Sequence, residues 1–390
     1  MMNSDNGRDR NYKQIIIIGG GAIGCCAAYY LSRHPSYNPD QHRIILLEAT
    51  KIAGGSSGKG AGCLGEWADP ACLAPASFEL HAQLAREHDG EKTWGYRKCD
   101  SADCDAVERH MDDPDADTRV PETLDWVDHA VFKWYKPLGK TAQCHPYLFT
   151  TSLARLAEER GVRFVEGSAE AIVYSNTRDE VQSVTYRDKN SGREQQLPAT
   201  NVVLAAGPWT QRLLPEAPIG GERSHSVVID PGRDVSPTII FFDAGHIVPG
   251  DTKNQLEVYP RPDKTVYMCG QTDYGATLPA TTDEVEVNTN LCQELMENIA
   301  IVSPDFAKSQ VLIKQACFRP IVNLEGRDPE LGPLLGFTGI KGLVLAAGHN
   351  QWGINNSPIT GKIISELVFD GRATSADISE LDPQDCLIFK

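Results

Sequence analysis

No stretch of the 390-residue chain approaches the run of about 18 apolar residues that crosses a bilayer as a helix. The opening residues, MMNSDNGRDRNYK, are polar and have no apolar h-region, so no secretory leader is expected and these residues read as a mobile arm. The closing residues, Cys386 to Lys390, form neither a peroxisomal Ser-Lys-Leu tail nor a lipidation box. Positive charge is scarce: 37 Lys and Arg stand against 53 Asp and Glu, a net charge of −16. Phosphate backbones and anionic lipid would be repelled, which argues against nucleic acid and charged membrane as partners. The eleven cysteines are scattered with no CxxC pair, and no HExxH occurs. A disulfide framework and a structural metal are therefore not expected, and reduced thiols fit a cytoplasmic protein.

What the chain does have begins at Gln14. Four isoleucines, Ile15 to Ile18, lead into Gly19-Gly20-Gly21-Ala22-Ile23-Gly24, then an amphipathic run to Leu31 and a second apolar run ending on Glu48. The order strand, glycine turn, helix, strand, acid is that of a dinucleotide-binding unit. Gly19 permits the turn, Gly21 lets backbone approach a pyrophosphate, and Gly24 lets the helix lie close on the strand. Ala22 and Ile23 open the helix, whose unpaired N–H groups and dipole favour phosphate. Glu48, followed by Ala49, is placed to accept ribose hydroxyls. The plain alternative is an ordinary strand–turn–helix that is rich in glycine.

Small residues follow at Ala53 to Gly62, among them Ser56, Ser57, Gly58, Lys59 and Gly62. They read as a second phosphate-contacting loop, against the alternative of a flexible linker. Residues 100–117, dense in Asp, read as a solvated loop. Helical spacing is read at Ser77 to Arg86, again around Leu153 to Ala157 with Thr151 or Ser152 as cap, and over Val285 to Ile301. The two segments NVVLAAG (Asn201 to Gly207) and LVLAAG (Leu343 to Gly348) read as buried parallel strands of one sheet. Short runs at Ser226 to Ile229, Ile239 to Phe242, Leu256 to Tyr259 and Thr265 to Cys269 suggest a mixed sheet elsewhere. A last helix is expected with Ser357 as N-cap, Pro358 at its first position and Gly371 as its stop. A chain of this length also suggests two domains.

Together GGGAIG, GGSSGKGAG, AAGPWT and AAGHNQWGINNSPITGK resemble the D-amino-acid-oxidase-like FAD oxidoreductases, which include glycine oxidase, sarcosine oxidase and fructosyl-amine oxidases. The segments GEKTWGYR, KQACF and WGINNSPITGK resemble a fungal branch of oxidoreductases linked to endosomes and the cytoplasm. The resemblance implies an α/β chain (α+β overall) with a discontinuous, Rossmann-like FAD-binding domain of the glutathione-reductase type. That domain would take residues 1–67, 143–220 and 315–390, and a mixed-sheet substrate domain would take 68–142 and 221–314. It places the adenine end at Gly19, Gly21, Gly24 and Glu48, with Ser56, Ser57 and Gly58 along the pyrophosphate. Ala169, Gly207 and Trp209 would contact FAD, and Gly348, His349, Asn350, Trp352, Gly353 and Ile354 would wrap its ring. The final helix N-terminus would then favour the anionic reduced flavin.

For the substrate, the resemblance implies Arg319 as a carboxylate clamp and Tyr259 as a substrate tyrosine, with Trp352 at the reacting ring. The plain alternatives are an ion pair for Arg319 and a buried strand tyrosine for Tyr259. Cys317 stands where sarcosine-oxidase-like members attach flavin covalently, against the alternative of a buried free thiol. Met268 falls where sarcosine oxidase keeps its oxygen-activating lysine, and Lys59 is the nearby cation on offer. Oxidase and dehydrogenase therefore both remain open. The expected function is oxidation of the C–N bond of a small amine or amino acid by hydride transfer to FAD. Its rivals are a 2-hydroxy acid dehydrogenase and a trafficking protein with a structural flavin. The expected partner is a small-molecule substrate.

Overall fold

Alternate residues of Ile15–Ile18 face two different buried layers, so all four isoleucines are shielded from water. The chain containing them is seen in a computed structural model, which describes residues 12–105, 120–132, 134–243, 255–324 and 332–387. In chain order the elements are β1 (Lys13–Ile18), α1 (Ala22–Leu31), β2 (His42–Glu48), α2 (Ser56–Lys59), β3 (Cys63–Gly65), α3 (Ala74–Glu87) and α4 (Gly90–Trp94). Next come β4 (Arg97–Cys99), β5 (Ser101–Asp105), β6 (Trp134–Pro137), β7 (Thr141–Gln143), α5 (Pro146–Glu158), β8 (Arg163–Tyr174), β9 (Val181–Asp188) and β10 (Glu194–Pro198). They are followed by β11 (Asn201–Leu204), α6 (Thr210–Leu213), β12 (Ile219–Asp230), β13 (Ile239–Asp243), β14 (Gln255–Pro260) and β15 (Val266–Asp273). The order closes with α7 (Thr289–Val302), α8 (Pro304–Ala307), β16 (Gln310–Val322), β17 (Leu334–Phe337), β18 (Leu343–Ala347) and α9 (Gly353–Asp370).

The chain divides into two compact units. The first is Met1–Gly54, Thr150–Gly220 and Pro320–Lys390, and the second is Gly55–Phe149 and Gly221–Arg319. Expected limits at 67, 142 and 314 thus stand at 54, 149 and 319, while the limit at 220 coincides. The first limit moves because β3 pairs with β7, which ties the segment after Gly54 to the second unit.

The first unit is built on an eight-stranded sheet, β10-β9-β8-β2-β1-β11-β18-β17. β8, β2, β1, β11 and β18 run parallel. The two AAG segments therefore do share a sheet with β1, as their apolar runs suggested. In a parallel sheet the carboxyl ends of the strands lie at one edge, where ligands bind. α1 and α9 pack together, and a Cβ on Gly361 would come within 2.5 Å of the Cys26 backbone. That glycine sets how closely the two helices approach.

The second unit is built on a seven-stranded sheet, β16-β12-β15-β14-β13-β5-β6, with α7 over an apolar core of Val227, Ile240, Val258, Met268, Leu295 and Phe306. A three-stranded sheet, β3-β7-β4, accompanies it. Three expected boundaries shift. Ser101–Asp105, read as part of a solvated loop, is a strand between β13 and β6, with Ala102 and Cys104 buried. Its small inward residues left no strong apolar alternation to read; residues 106–117 of that loop, like the polar opening residues 1–11, lie outside the described residues. α5 starts at Pro146 rather than near Thr151. α7 starts at Thr289, where the Asn288 side chain accepts from the Asn290 N–H and fixes the start four residues after Val285.

α9 differs most. It starts at Gly353, so Ser357 and Pro358 lie inside it. Pro358 has no N–H to give the Ile354 carbonyl, and the Ser357 hydroxyl donates to that carbonyl instead, at 2.9 Å. The interior proline is tolerated because its neighbour fills the missing bond. The helix stops as expected at Gly371, whose φ of 76° lets its N–H reach the Glu366 carbonyl.

Two measurements follow. Ser357→Ala should cost roughly 1–3 kcal/mol in urea unfolding, the range for a buried acceptor left without a donor. In a Pro358→Ala background, where an N–H at 358 is restored, that cost should largely vanish; equal costs in both backgrounds would refute the substitution of donors. His349 gives the second. It is buried against Thr360, ring Nε2 to hydroxyl 3.1 Å, and burial lowers its pKa from 6.5 to about 3. The unfolded chain then binds the extra proton, so stability falls as pH drops from about 6.5 towards 3, by about 1.4 kcal/mol per unit. His349→Gln should flatten that acid limb, and an unchanged slope would contradict it.

Candidate functional site

At the carboxyl end of β1, Gly19 adopts φ +112°, and a Cβ there would lie 2.3 Å from the Ala205 carbonyl oxygen. A Cβ on Gly24 would meet the Gly19 carbonyl oxygen at 1.9 Å. Only glycine fits either position. Gly21 is the extended N-cap of α1 and contributes no side-chain cap, so Ala22 and Ile23 open a helix whose dipole favours an anion at this turn. Gly20, passed over in the sequence, is also crowded: a Cβ there would lie 2.6 Å from the Ile52 side-chain tip and 3.1 Å from the Glu48 side chain.

Glu48 closes β2 with its carboxylate at this turn. One oxygen accepts from the Gly20 N–H at 2.7 Å, and the other from the Thr50 N–H at 2.8 Å. Both bonds aim the carboxylate while leaving it lone pairs for hydroxyl donors. The Lys189 ammonium, on the loop after β9, donates to the Thr50 carbonyl and pairs with Glu166. Ala49 is partly exposed beside Glu48. Ala169 sits at a β-bulge in β8, where the ladder to β9 slips past Glu170 and leaves backbone groups unpaired by the sheet. Thr50 and Lys189 escaped sequence reading because they support the acid and carry no motif of their own.

Gly207 follows β11 with φ +54°, and the space where its Cβ would stand is open. Trp209 is half-buried in the same turn. β18 ends at Ala347, Gly348 follows with φ +86°, and the chain passes through His349, Asn350 and Trp352 into α9 at Gly353 and Ile354. Asn350 holds a left-handed φ of 47°, and its Oδ1 is buried with no hydrogen-bond donor among the described residues. A strained residue with an orphaned acceptor fits a site completed by a ligand that donates. Together the glycine cradle, the uncapped helix start, the aimed acid and this orphaned amide fit a flavin dinucleotide.

In the second unit the small-residue segment is a single helical turn, Ser56–Lys59, followed by an extended Gly60. Its backbone is fastened to the sheet by side chains that sequence reading missed. The Tyr267 hydroxyl donates to the Lys59 carbonyl at 3.0 Å, and Gln315 donates to the same oxygen at 3.2 Å. Arg261, buried and lying over the Tyr267 ring, donates to the Gly60 carbonyl at 2.8 Å. The Lys59 ammonium donates to the Ala316 carbonyl at 2.9 Å, which places it beside Cys317. Gly58 lies inside the turn, whereas Gly62 is required by a close approach to the Cys144 carbonyl oxygen, 1.9 Å from a Cβ there.

The residues expected at the substrate lie on this sheet. Arg319 forms an ion pair with Glu222 at 3.1 Å, both about a quarter exposed. Tyr259 is buried, donates its hydroxyl to Glu257, and meets Phe241 and Tyr267 edge-on. Burial pushes the Cys317 thiol above its ordinary pKa, although Lys59 and Arg319 pull it down. Met268 faces the apolar core, on the opposite side of β15 from Tyr267 and Cys269. It is a packing residue.

Residues 14–367 match the family model described as DAO, FAD dependent oxidoreductase. The protein TDA3 of Saccharomyces cerevisiae, named as an oxidoreductase, is 32% identical over 95% of this chain and 94% of its own length. A Schizosaccharomyces pombe protein named in the same way is 33% identical over 97% and 99%. Among solved structures, glycine oxidase from Geobacillus kaustophilus superposes with a TM-score of 0.75 at 19% identity, covering 95% of this chain and 98% of that one. L-amino acid deaminase from Proteus myxofaciens gives a TM-score of 0.73 at 15% identity, covering 98% and 95%. With the cradle, the acid and the strand ends in place, the chain belongs to the DAO family of FAD-dependent oxidoreductases.

Proposed function

We propose that this oxidoreductase breaks a C–H bond next to nitrogen in a small amine or amino acid, giving an imine that water hydrolyses. The observation that carries the reading is the likeness in fold, along nearly the whole chain, to proteins named glycine oxidase and L-amino acid deaminase. FAD, when bound, supplies the acceptor for the hydride. The chain supplies position and field. Gly19, Gly21 and Gly24 with the start of α1 would hold the pyrophosphate, and Glu48 the ribose. Ser56, Ser57 and Gly58 would add N–H and hydroxyl donors, with Ala169, Gly207 and Trp209 as further contacts. Gly348 to Ile354 would border the ring, where the α9 N-terminus favours negative charge.

No side chain need take the first proton if the amine binds neutral, so the buried His349 is no obstacle. Arg319 would orient a substrate carboxylate bidentately. Its ion pair with Glu222 means that such a carboxylate must share or displace that partner. Burial keeps Cys317 a neutral thiol, the poorer nucleophile, which favours a dissociable flavin over a covalent one.

Anaerobic addition of amino acids and small amines should bleach the oxidised flavin band while the matching 2-hydroxy acids leave it. Bleaching by hydroxy acids alone would instead establish the dehydrogenase rival. Arg319→Ala should raise KM for carboxylate-bearing amines roughly tenfold to hundredfold and leave uncharged amines near wild type; equal effects would remove its assigned role. Acid precipitation should leave the flavin in the supernatant. Flavin in the pellet that disappears in Cys317→Ser would show covalent attachment.

A further inference from the structure

Each large sheet ends in two edge strands, and three of the four edges are blunted. β6 is four residues long and carries Lys136 and Pro137. β10 reads Glu194-Gln195-Gln196-Leu197-Pro198, with its acid and both glutamines exposed. β17 is four residues long, and Gly336 within it lies against Pro383. Short length, charge and proline are the usual means by which a sheet avoids pairing with another chain.

β16 carries only one of them in its first half, the charge of Lys314. It is 13 residues long, it is an edge of the seven-stranded sheet, and Gln310 to Lys314 are all exposed. Val311, Leu312 and Ile313 in succession show 37%, 45% and 49% of their surface to solvent. No charged residue stands between Lys308 and Lys314, in a chain that is 23% charged. Among the described residues no strand pairs with its outer edge.

We infer that this edge pairs with its own copy, antiparallel about a two-fold axis through Leu312, making one fourteen-stranded sheet from two chains. The occupant follows from the order of residues. Antiparallel pairing centred on Leu312 sets Leu312 against Leu312, Val311 against Ile313, and Gln310 against Lys314. The two Val–Ile pairs form one β-branched patch on one face, and the leucines meet on the other. Lys314 meets a neutral glutamine, so no like charges confront each other. A symmetric interface must be self-complementary, and this register is. A shift by one residue would turn each side chain to the wrong face.

The experiment uses the full chain with its flavin. At micromolar concentration, sedimentation equilibrium should give twice 42.7 kDa. Leu312→Lys, which sets two ammonium groups against each other at the axis, should return the mass to 42.7 kDa with an unchanged flavin spectrum. Leu312→Cys should form a dimer on mild oxidation that dithiothreitol reverses, and the wild type treated alike should form none. A wild type that sediments as a monomer overturns the inference. So does a Leu312→Lys variant that keeps the dimer mass, or a Leu312→Cys dimer that fails to cross-link.

Discussion

The close contact of α1 with the end of β1 is the constraint on which the first unit depends. The Gly24 Cα lies so near the Gly19 carbonyl that a single added carbon would sit 1.9 Å from its oxygen. That approach directs the first turn of α1 at the strand ends, where N–H groups and the dipole can meet phosphate. The same helix is held from its other side by α9, through the missing side chain of Gly361. α9 in turn continues from Gly348 to Trp352, so one stack of backbone approaches aligns both the cradle and the C-terminal loop. Glu48 is fixed by two backbone N–H groups and can act as a rigid acceptor.

The second unit solves a different problem. A turn made of Ser, Gly and one Lys has little side-chain packing of its own to hold it. Here Tyr267, Gln315 and Arg261 take up its carbonyls, and Lys59 takes up a carbonyl of β16. Engaging the acceptors from the sheet side fixes the turn. Burying Arg261 with no ion-paired carboxylate among the described residues is costly, and a backbone carbonyl, an aromatic face and the nearby charge of Asp263 offset part of that cost.

The sequence was legible where one physical demand falls on adjacent residues. The glycine spacing, the apolar runs of Ile15–Ile18 and Leu343–Ala347, and the acid at Glu48 each declare themselves locally, and the parallel sheet follows from them. It was illegible where the demand is met from afar. Nothing near Lys59 announces Arg261 or Tyr267, and nothing near Arg319 announces Glu222. α9 was misjudged because Ser-Pro usually opens a helix; here the serine hydroxyl serves the carbonyl that proline leaves bare. β5 was missed because its inward residues are Ala102 and Cys104, too small to mark a strand.

The central claim is that this chain is built around FAD. The most direct measurement is the cofactor content of the protein purified from its own expression, by visible spectrum and by chromatography of what acid releases. The account predicts oxidised-flavin absorption and one FAD per chain, with no FMN or NAD in its place. A folded chain that carries no flavin and takes none up when FAD is added would contradict it.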